Sequence, residues 1–301
     1  MNANTRNQIC QLLRAGVMKT EVAKRLGISV SAVKRVVKKG EIQRVLLPAD
    51  FHCGSNIGLT PPSYQYKYIS NPKSEDHRIR NKWSVLQKEC WEWYIGTLNT
   101  LGHIDKCFIG GDLIDGDGGR SGGTELIVTD RNVQVSMAIE CIEQIDADYY
   151  SMVFGTPYHT GQSEDFEMQV AKHFDCKIGG HEWENINGCI FDLKHKQSNC
   201  VNPSTSIFNE IRDNREWAVL GEQPRANVLV RAHTHRFCIT KFEGVMGISL
   251  PALQCYGTKF GARQCSRKVQ VGLVALDVWP DGEVVEHVHI AKLKSQATHE
   301  N

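Results

Sequence analysis

The chain of 301 residues lacks any CxxC pair among its eleven cysteines, and it lacks a GK[ST] triplet. No apolar run approaches the ~20 residues needed to cross a bilayer. The first absence removes zinc ribbons and thioredoxin-like redox motifs, the second removes P-loop nucleotide hydrolysis, and the third removes a helical membrane protein. The opening stretch MNANTRNQICQLLRAG has no hydrophobic segment of the signal-peptide kind. The scattered, odd-numbered cysteines are therefore expected to be reduced thiols of a cytoplasmic protein. Low-complexity tracts and internal repeats are also missing. With 41% apolar and 23% charged residues, the chain can support a buried core, and its length accommodates one large domain with a small one.

A net charge of +1 conceals a strong asymmetry. Residues 1–40 carry nine Lys and Arg against the single acid Glu21, a balance of +8, while the remainder carries −7. A basic head on a mildly acidic body implies two parts with different partners. Within the head, the periodicity predicts three short helices, at Arg6–Ala15, Lys19–Leu26 and Val30–Lys38. Gly27 supplies a tight turn between the last two, and Ser29 is the expected N-cap of the third. Ser31, Lys34, Arg35 and Lys38 fall on its outer face. The segment EVAKRLGISVSAVKRVV (Glu21–Val37) resembles the helix-turn-helix of resolvases, transposases and small repressors. That resemblance implies a third helix that enters the DNA major groove. The plainer alternative is a three-helix cap that packs on the body and happens to be basic. A single such unit binds weakly, so it is expected to tether or orient the larger part unless the chain dimerises; nothing in the sequence fixes the oligomeric state.

From residue 44 onward, short apolar runs close on Asp or His. RVLLPADFH ends in Asp50 and His52, KCFIGGD in Asp112, and YYSMVFGTPYH in Thr156 and His159. CIFDLKH ends in His195, and NVLVRAHTH in His233 and His235. Their length and β-branched or aromatic content predict strands. Amphipathic stretches at Arg78–Thr97, Arg131–Ile145, Ser163–Phe174 and Ser206–Leu220 predict helices between them. Alternating elements of this kind imply an α/β layered domain with its ligands beyond the carboxyl ends of the strands. Four further strands after residue 236 are expected to close a second sheet. Oxygen and imidazole ligands without thiolate suit Mn²⁺, Fe or Zn²⁺, and a pair of such ions can act on phosphate esters.

DFH, GGDLIDG, GTPYH, KH and AHTH, in this order, resemble the calcineurin-like metallophosphoesterase superfamily, whose pattern is D-x-H, G-D-x-x-D/H, G-N-H, H and G-H-T/x-H. The resemblance spans residues 44–295. It implies two mixed sheets flanked by helices in a four-layer sandwich, and two divalent metal ions, Mn²⁺ being the first expectation. It further implies that Asp50, His52 and His235 hold one ion, that Asp112 bridges, and that His195 and His233 hold the other. The third motif departs from the pattern: Thr156 stands where the family carries an asparagine ligand, and the next histidine is His159. Either His159 ligates the second metal, or it acts as the family's catalytic histidine while Thr156 or water fills the gap; the second arrangement is preferred. Asp115 stands where nuclease members often have histidine and could orient His52 or a water. Ala232 replaces a glycine. His181 competes with His195 for the fourth motif, and His195 is preferred because a strand leads into it. The remaining histidines read as ordinary core or surface residues.

Two other segments invite a reading. Gly116–Glu125 is expected to be a mobile, substrate-facing loop, in which Arg120 could meet a phosphate. The aromatic and basic stretch Pro61–Lys73 suits either base stacking or plain loop packing. The combined expectation is a metal-dependent phosphoesterase with a DNA-binding head, a nuclease acting on DNA, of a kind met in phages and mobile elements. The alternatives are a phosphatase of phosphoproteins or small esters, and a DNA-binding regulator whose metal domain has lost catalysis.

Overall fold

The computed structural model describes residues 3–36, 42–119, 121–161, 165–198, 202–257 and 269–293. The head forms α1 (Ala3–Arg14), α2 (Lys19–Leu26) and α3 (Val30–Val36). Gly27 ends α2 in the left-handed region at φ 62°, which only glycine adopts cheaply. The Ser29 hydroxyl accepts the Ala32 N–H at 3.1 Å, the expected cap. Ile9, Cys10, Val22, Ala23, Val33 and Val36 form a small core of their own, against which Trp279 of the body packs. Ser31 and Lys34 are exposed. The Arg35 side chain and Lys38 lie outside the described residues, as does Arg120.

The body contains two sheets. The first has the order β11-β10-β1-β2-β3-β4 and the second β5-β6-β7-β9-β8. In the first, β1 (Gln43–Leu47), β2 (Lys106–Ile109), β3 (Tyr150–Val153) and β4 (Lys177–Gly179) run parallel. Their crossovers contain α4 (Glu75–Leu101), α5 (Arg131–Ile142), and the pair α6 (Pro157–Thr160) and α7 (Glu167–His173). The second sheet consists of β5 (Glu182–Ile186), β6 (Cys189–Lys196), β7 (Val228–Ala232), β8 (Cys238–Phe242) and β9 (Val245–Ser249). Between β6 and β7 lies α8 (Pro203–Val219). The chain then returns to the first sheet: β10 (Gly272–Val278) pairs antiparallel with β1, and β11 (Val284–Ile290) with β10. Only two of the four C-terminal strands thus join the second sheet. The other two extend the first, because β10 satisfies the free edge of β1 that a purely parallel β1–β4 array leaves open.

Strand alternation generates the layers. Leu46, Ile109, Met152 and Ala275 face α4, α5 and α7. Their neighbours Val45, Phe108, Val153 and Val274 face Phe191, Val230 and Ile248 of the second sheet. The outer side of that sheet packs Leu229 and Val245 on Ile207 and Ile211 of α8. The result is two mixed β-sheets flanked by helices, an α/β fold preceded by a small helical head. Tyr66 of the aromatic insert stacks on Trp83 of α4 at 6.0 Å and donates its hydroxyl to Asn56, so this ring serves packing. No helix among the described residues is long and apolar enough to cross a membrane.

Phe191 is fully buried and meets Phe108 edge to face at 5.6 Å, linking the two sheets. Phe191→Ala is expected to destabilise the body by about 3–5 kcal/mol, read as a lower urea midpoint at unchanged slope.

Candidate metal centre

The ligand candidates all sit just beyond strand ends. Asp50 and His52 follow β1, Asp112 follows β2, Thr156 and His159 follow β3, His195 lies at the end of β6, and His233 and His235 follow β7. Their backbone is unusual. Asp50, His52, Asp112, His233 and His235 all adopt positive φ, between 47° and 70°, although none is glycine. Residues with a Cβ occupy this region at a cost, and they do so mainly where the surroundings enforce it. The turns that leave β1, β2 and β7 therefore hold five functional side chains in a strained, defined orientation.

These turns bring together three overlapping groups whose ligand atoms lie within 4.8 Å of one another: Asp50, His52 and His235; His52, Asp112 and His159; and Asp112, His195 and His233. His235 Nε2 is 3.3 Å from Asp50 Oδ1 and 3.2 Å from His52 Nε2. On the other side, His195 Nε2 is 3.1 Å and His233 Nδ1 4.0 Å from Asp112 Oδ2. Asp112 groups with His195 and His233 and also with His52 and His159, and His52 in turn belongs to the group of Asp50 and His235. Asp50 is further held by the His233 N–H, which donates to its Oδ2.

The histidine rings are oriented from behind. His195 Nδ1 donates to the Gly110 carbonyl at 2.6 Å, and His52 Nδ1 lies 2.8 Å from Asp115 Oδ1. Each ring thereby turns its Nε2 inward, the arrangement by which outer hydrogen bonds fix a ligating imidazole. Asp50 Oδ1 and His195 Nε2 are buried and make no hydrogen bond. Buried polar atoms without a hydrogen bond are rare, and each of these two belongs to one of the ligand groups, where a cation would satisfy it. The donor set fits a divalent pair.

The charges agree with this geometry. Burial opposes ionisation of Asp112, but His195 and the other imidazoles overcome it and hold the carboxyl well below its ordinary range. Asp50 is likewise lowered, by His235 against burial. Burial also opposes a charged His195, yet Asp112 and Asp50 push it up to about 10. His52 is raised by Asp115 against burial. The site thus keeps its carboxylates anionic inside the protein and gathers positive charge around them.

Thr156 occupies the N-cap position of α6 without a side-chain bond to the helix, and both its N–H, at 2.6 Å, and its hydroxyl, at 3.1 Å, donate to Asp112 Oδ1. His159 Nδ1 donates to the Asp115 carbonyl at 2.9 Å, and its ring meets His52 edge-on at 4.6 Å. Burial, then His52, hold His159 below the usual imidazole range. His181 lies elsewhere, bonded to Asp192 and stacked near Trp183.

Two supporting residues carried no sequence signal. Glu167 of α7 is fully buried, and its carboxyl oxygens accept the N–H groups of Leu113 at 2.8 Å and Gly155 at 2.7 Å. It joins the loop of Asp112 to that of Thr156, and burial and the Asp112 charge push it up to about 8. Gln134 of α5 accepts the Gly116 N–H and donates to the Gly116 carbonyl, anchoring the start of the glycine-rich loop. A lone acid and a lone amide in amphipathic helices look like surface residues in any sequence.

No family model and no curated protein matches the chain. Solved structures do resemble it in outline. A novel archaeal phosphodiesterase aligns at a TM-score of 0.43 and 14% identity, covering 82% of this chain and 99% of its own. Zinc-complexed wild-type Vps29 from Entamoeba histolytica aligns at 0.39 and 12%, covering 82% and 99%. A conserved protein from Streptococcus pneumoniae, described as a predicted phosphoesterase, aligns at 0.33 and 12%, covering 83% and 98%.

Gly155 lets the β3 turn lie directly on Asp112: a Cβ there would sit 2.2 Å from Asp112 Oδ1 and 2.3 Å from its backbone N. Gly155→Ala is therefore expected to displace the Asp112 carboxylate and weaken divalent-ion affinity roughly 10–100-fold, measured by calorimetric titration, while secondary structure is retained.

Proposed function

We propose that this chain is a metal-dependent phosphoesterase, a nuclease that acts on DNA in the cytoplasm. The observation that carries the reading is the chain of three ligand groups linked through His52 and Asp112, in which Asp50 Oδ1 and His195 Nε2 are buried without a hydrogen bond. Asp50, His52 and His235 would hold one divalent ion, Asp112 both, and His195 and His233 the second, with Thr156 beside Asp112. The thiolate-free donor set suits Mn²⁺ first, with Fe or Zn²⁺ as its rivals. When bound, such a pair supplies an acidified water and positive charge for the phosphate oxygens.

The chain's own residues supply the remainder. Asp115 orients His52 through its Nδ1–H and fixes His159 through its backbone carbonyl. With Nδ1–H engaged there, His159 presents Nε2 to the reacting phosphate. From that position His159 protonates or stabilises the leaving oxygen. Glu167 and Thr156 hold Asp112 in place.

The choice of DNA rests on the basic head. Lys34 and Ser31 are exposed on α3, and the +8 balance of residues 1–40 opposes a −7 body. The head binds the phosphate backbone through charge and offers the outer face of α3, with Ser31 and Lys34, to the groove; Arg35 and Lys38 are the further contacts that the helix-turn-helix resemblance implies.

With Mn²⁺, the protein should hydrolyse bis-p-nitrophenyl phosphate and cleave DNA, and Asp112→Asn should abolish both without unfolding the chain. Full activity of that variant would refute the metal reading. Removal of residues 1–40 should weaken DNA binding in a salt-dependent manner and leave hydrolysis of the small diester intact. Turnover of a phosphopeptide in preference to single- and double-stranded DNA would instead identify a phosphatase.

A further inference from the structure

Arg131 is the first residue of α5 and lies one turn before Gln134, on the same face of that helix. Gln134 binds the backbone of Gly116, and a Cβ on Gly116 would come within 2.8 Å of the His159 carbonyl oxygen. The face of α5 that carries Arg131 is therefore the one turned to the start of the glycine-rich loop, beside His159.

Two contacts place the guanidinium more closely. Its Nη2 is 3.3 Å from Oδ2 of Asp117, two residues beyond Asp115. Its Cζ stands 5.3 Å from the centre of the Phe166 ring, and the Phe166 N–H donates to the carbonyl of Thr160, the residue after His159. The cation thus sits between the chain leaving Asp115 and the chain leaving His159. The Cα atoms of Asp115 and Asp117 are at most about 7 Å apart, so this position borders the reacting centre.

These contacts use little of the group. A guanidinium carries five N–H donors in a flat fork. Asp117 is 63% exposed and meets one nitrogen, while Nη1 has no partner among the described residues and is not among the buried atoms. With Phe166 holding one face of the cation, the donor edge is the part left for a ligand. An ion pair as exposed as that with Asp117 is weak, whereas a phosphate takes a guanidinium through two parallel bonds.

We infer that Arg131 holds the phosphate next to the one at the metal centre. The substrate is then a chain with at least two consecutive phosphodiesters, and an isolated diester fills only part of the site. The inference rests on the phosphoesterase reading and names the substrate class of that same centre. A purely structural Arg131 would instead serve to pin the glycine-rich loop through Asp117.

The test is inhibition of bis-p-nitrophenyl phosphate hydrolysis by the full chain with Mn²⁺. The inhibitors are the thymidine dinucleotide, with a single phosphodiester, and the trinucleotide, with a second one beside it. The trinucleotide is expected to inhibit at about one-tenth of the concentration that the dinucleotide requires. Arg131→Ala should close that gap, and Arg131→Lys, which keeps the charge but not the fork, should leave part of it. Asp117→Asn breaks the ion pair and leaves the guanidinium, so it should keep the gap. The inference is overturned if the two nucleotides inhibit alike in the parent, if the gap survives Arg131→Ala, or if Asp117→Asn closes it. The last result would make Arg131 a pin for the loop. Absence of bis-p-nitrophenyl phosphate hydrolysis with every divalent ion tried would sink the phosphoesterase reading itself, and this inference with it.

Discussion

The organising constraint of this molecule is the burial of two carboxylates, Asp50 and Asp112, at 0% and 1% exposure, side by side among histidines. Anionic groups in such surroundings cost several kcal/mol each unless positive charge is brought to them. The chain meets that demand with imidazoles from four strand ends, and it positions them through backbone conformations that other residues avoid. The strain at Asp50, His52, Asp112, His233 and His235 is tolerable because each turn is tied to the next: Asp50 N–H donates to the Gly111 carbonyl, and His52 N–H to the Asp112 carbonyl. The layered fold is thus the device that carries these turns to one point. The flanking helices α4, α5 and α7 bury the far face of the first sheet and make those strand ends rigid.

The site was legible in the sequence to the extent that chemistry dictates residue type. Asp and His at the close of an apolar run are poor strand residues and poor core residues, so their repetition at five places stood out. Distances could not be foreseen, nor could the role of Thr156. Its spacing from Asp112 in the sequence says nothing of the two hydrogen bonds it donates there. Glu167 and Gln134 were invisible for a related reason. Each is one polar residue on an amphipathic helix, and only tertiary packing decides that it turns inward to bridge loops.

The fold shows the same division. Most helix and strand positions followed from periodicity, since it reports which faces are buried; the short elements β4, β5 and α6 did not. Sheet membership did not follow, because an apolar run such as GLVALDV fits any central strand equally well. That β10 leaves its sequence neighbours β8 and β9 and inserts beside β1 is set by which edge is free, a property of the assembled sheet. α8 begins three residues before the expected Ser206, at Pro203, because the Asn202 side chain accepts the Ser204 N–H as an N-cap and proline suits the first turn.

The second sheet has a further task besides covering the first. Arg231 at the end of β7 is 3% exposed, and it is tied to Asp192 of β6 at 2.7 Å and to Glu210 of α8. A buried charge of this kind stabilises little by itself, but loss of one partner costs about 3–5 kcal/mol. Such a network therefore penalises any slip of β6 against β7. A slip of β6 by one residue would turn Asp192 into the apolar space between the sheets, leave Arg231 without it, and send His195 to the outer face. The ion network on one side and the ligands on the other are bound to a common register. Polar residues on the outer face, which a reading of the centre alone would ignore, are consequently part of what keeps His195 and His233 opposite Asp112.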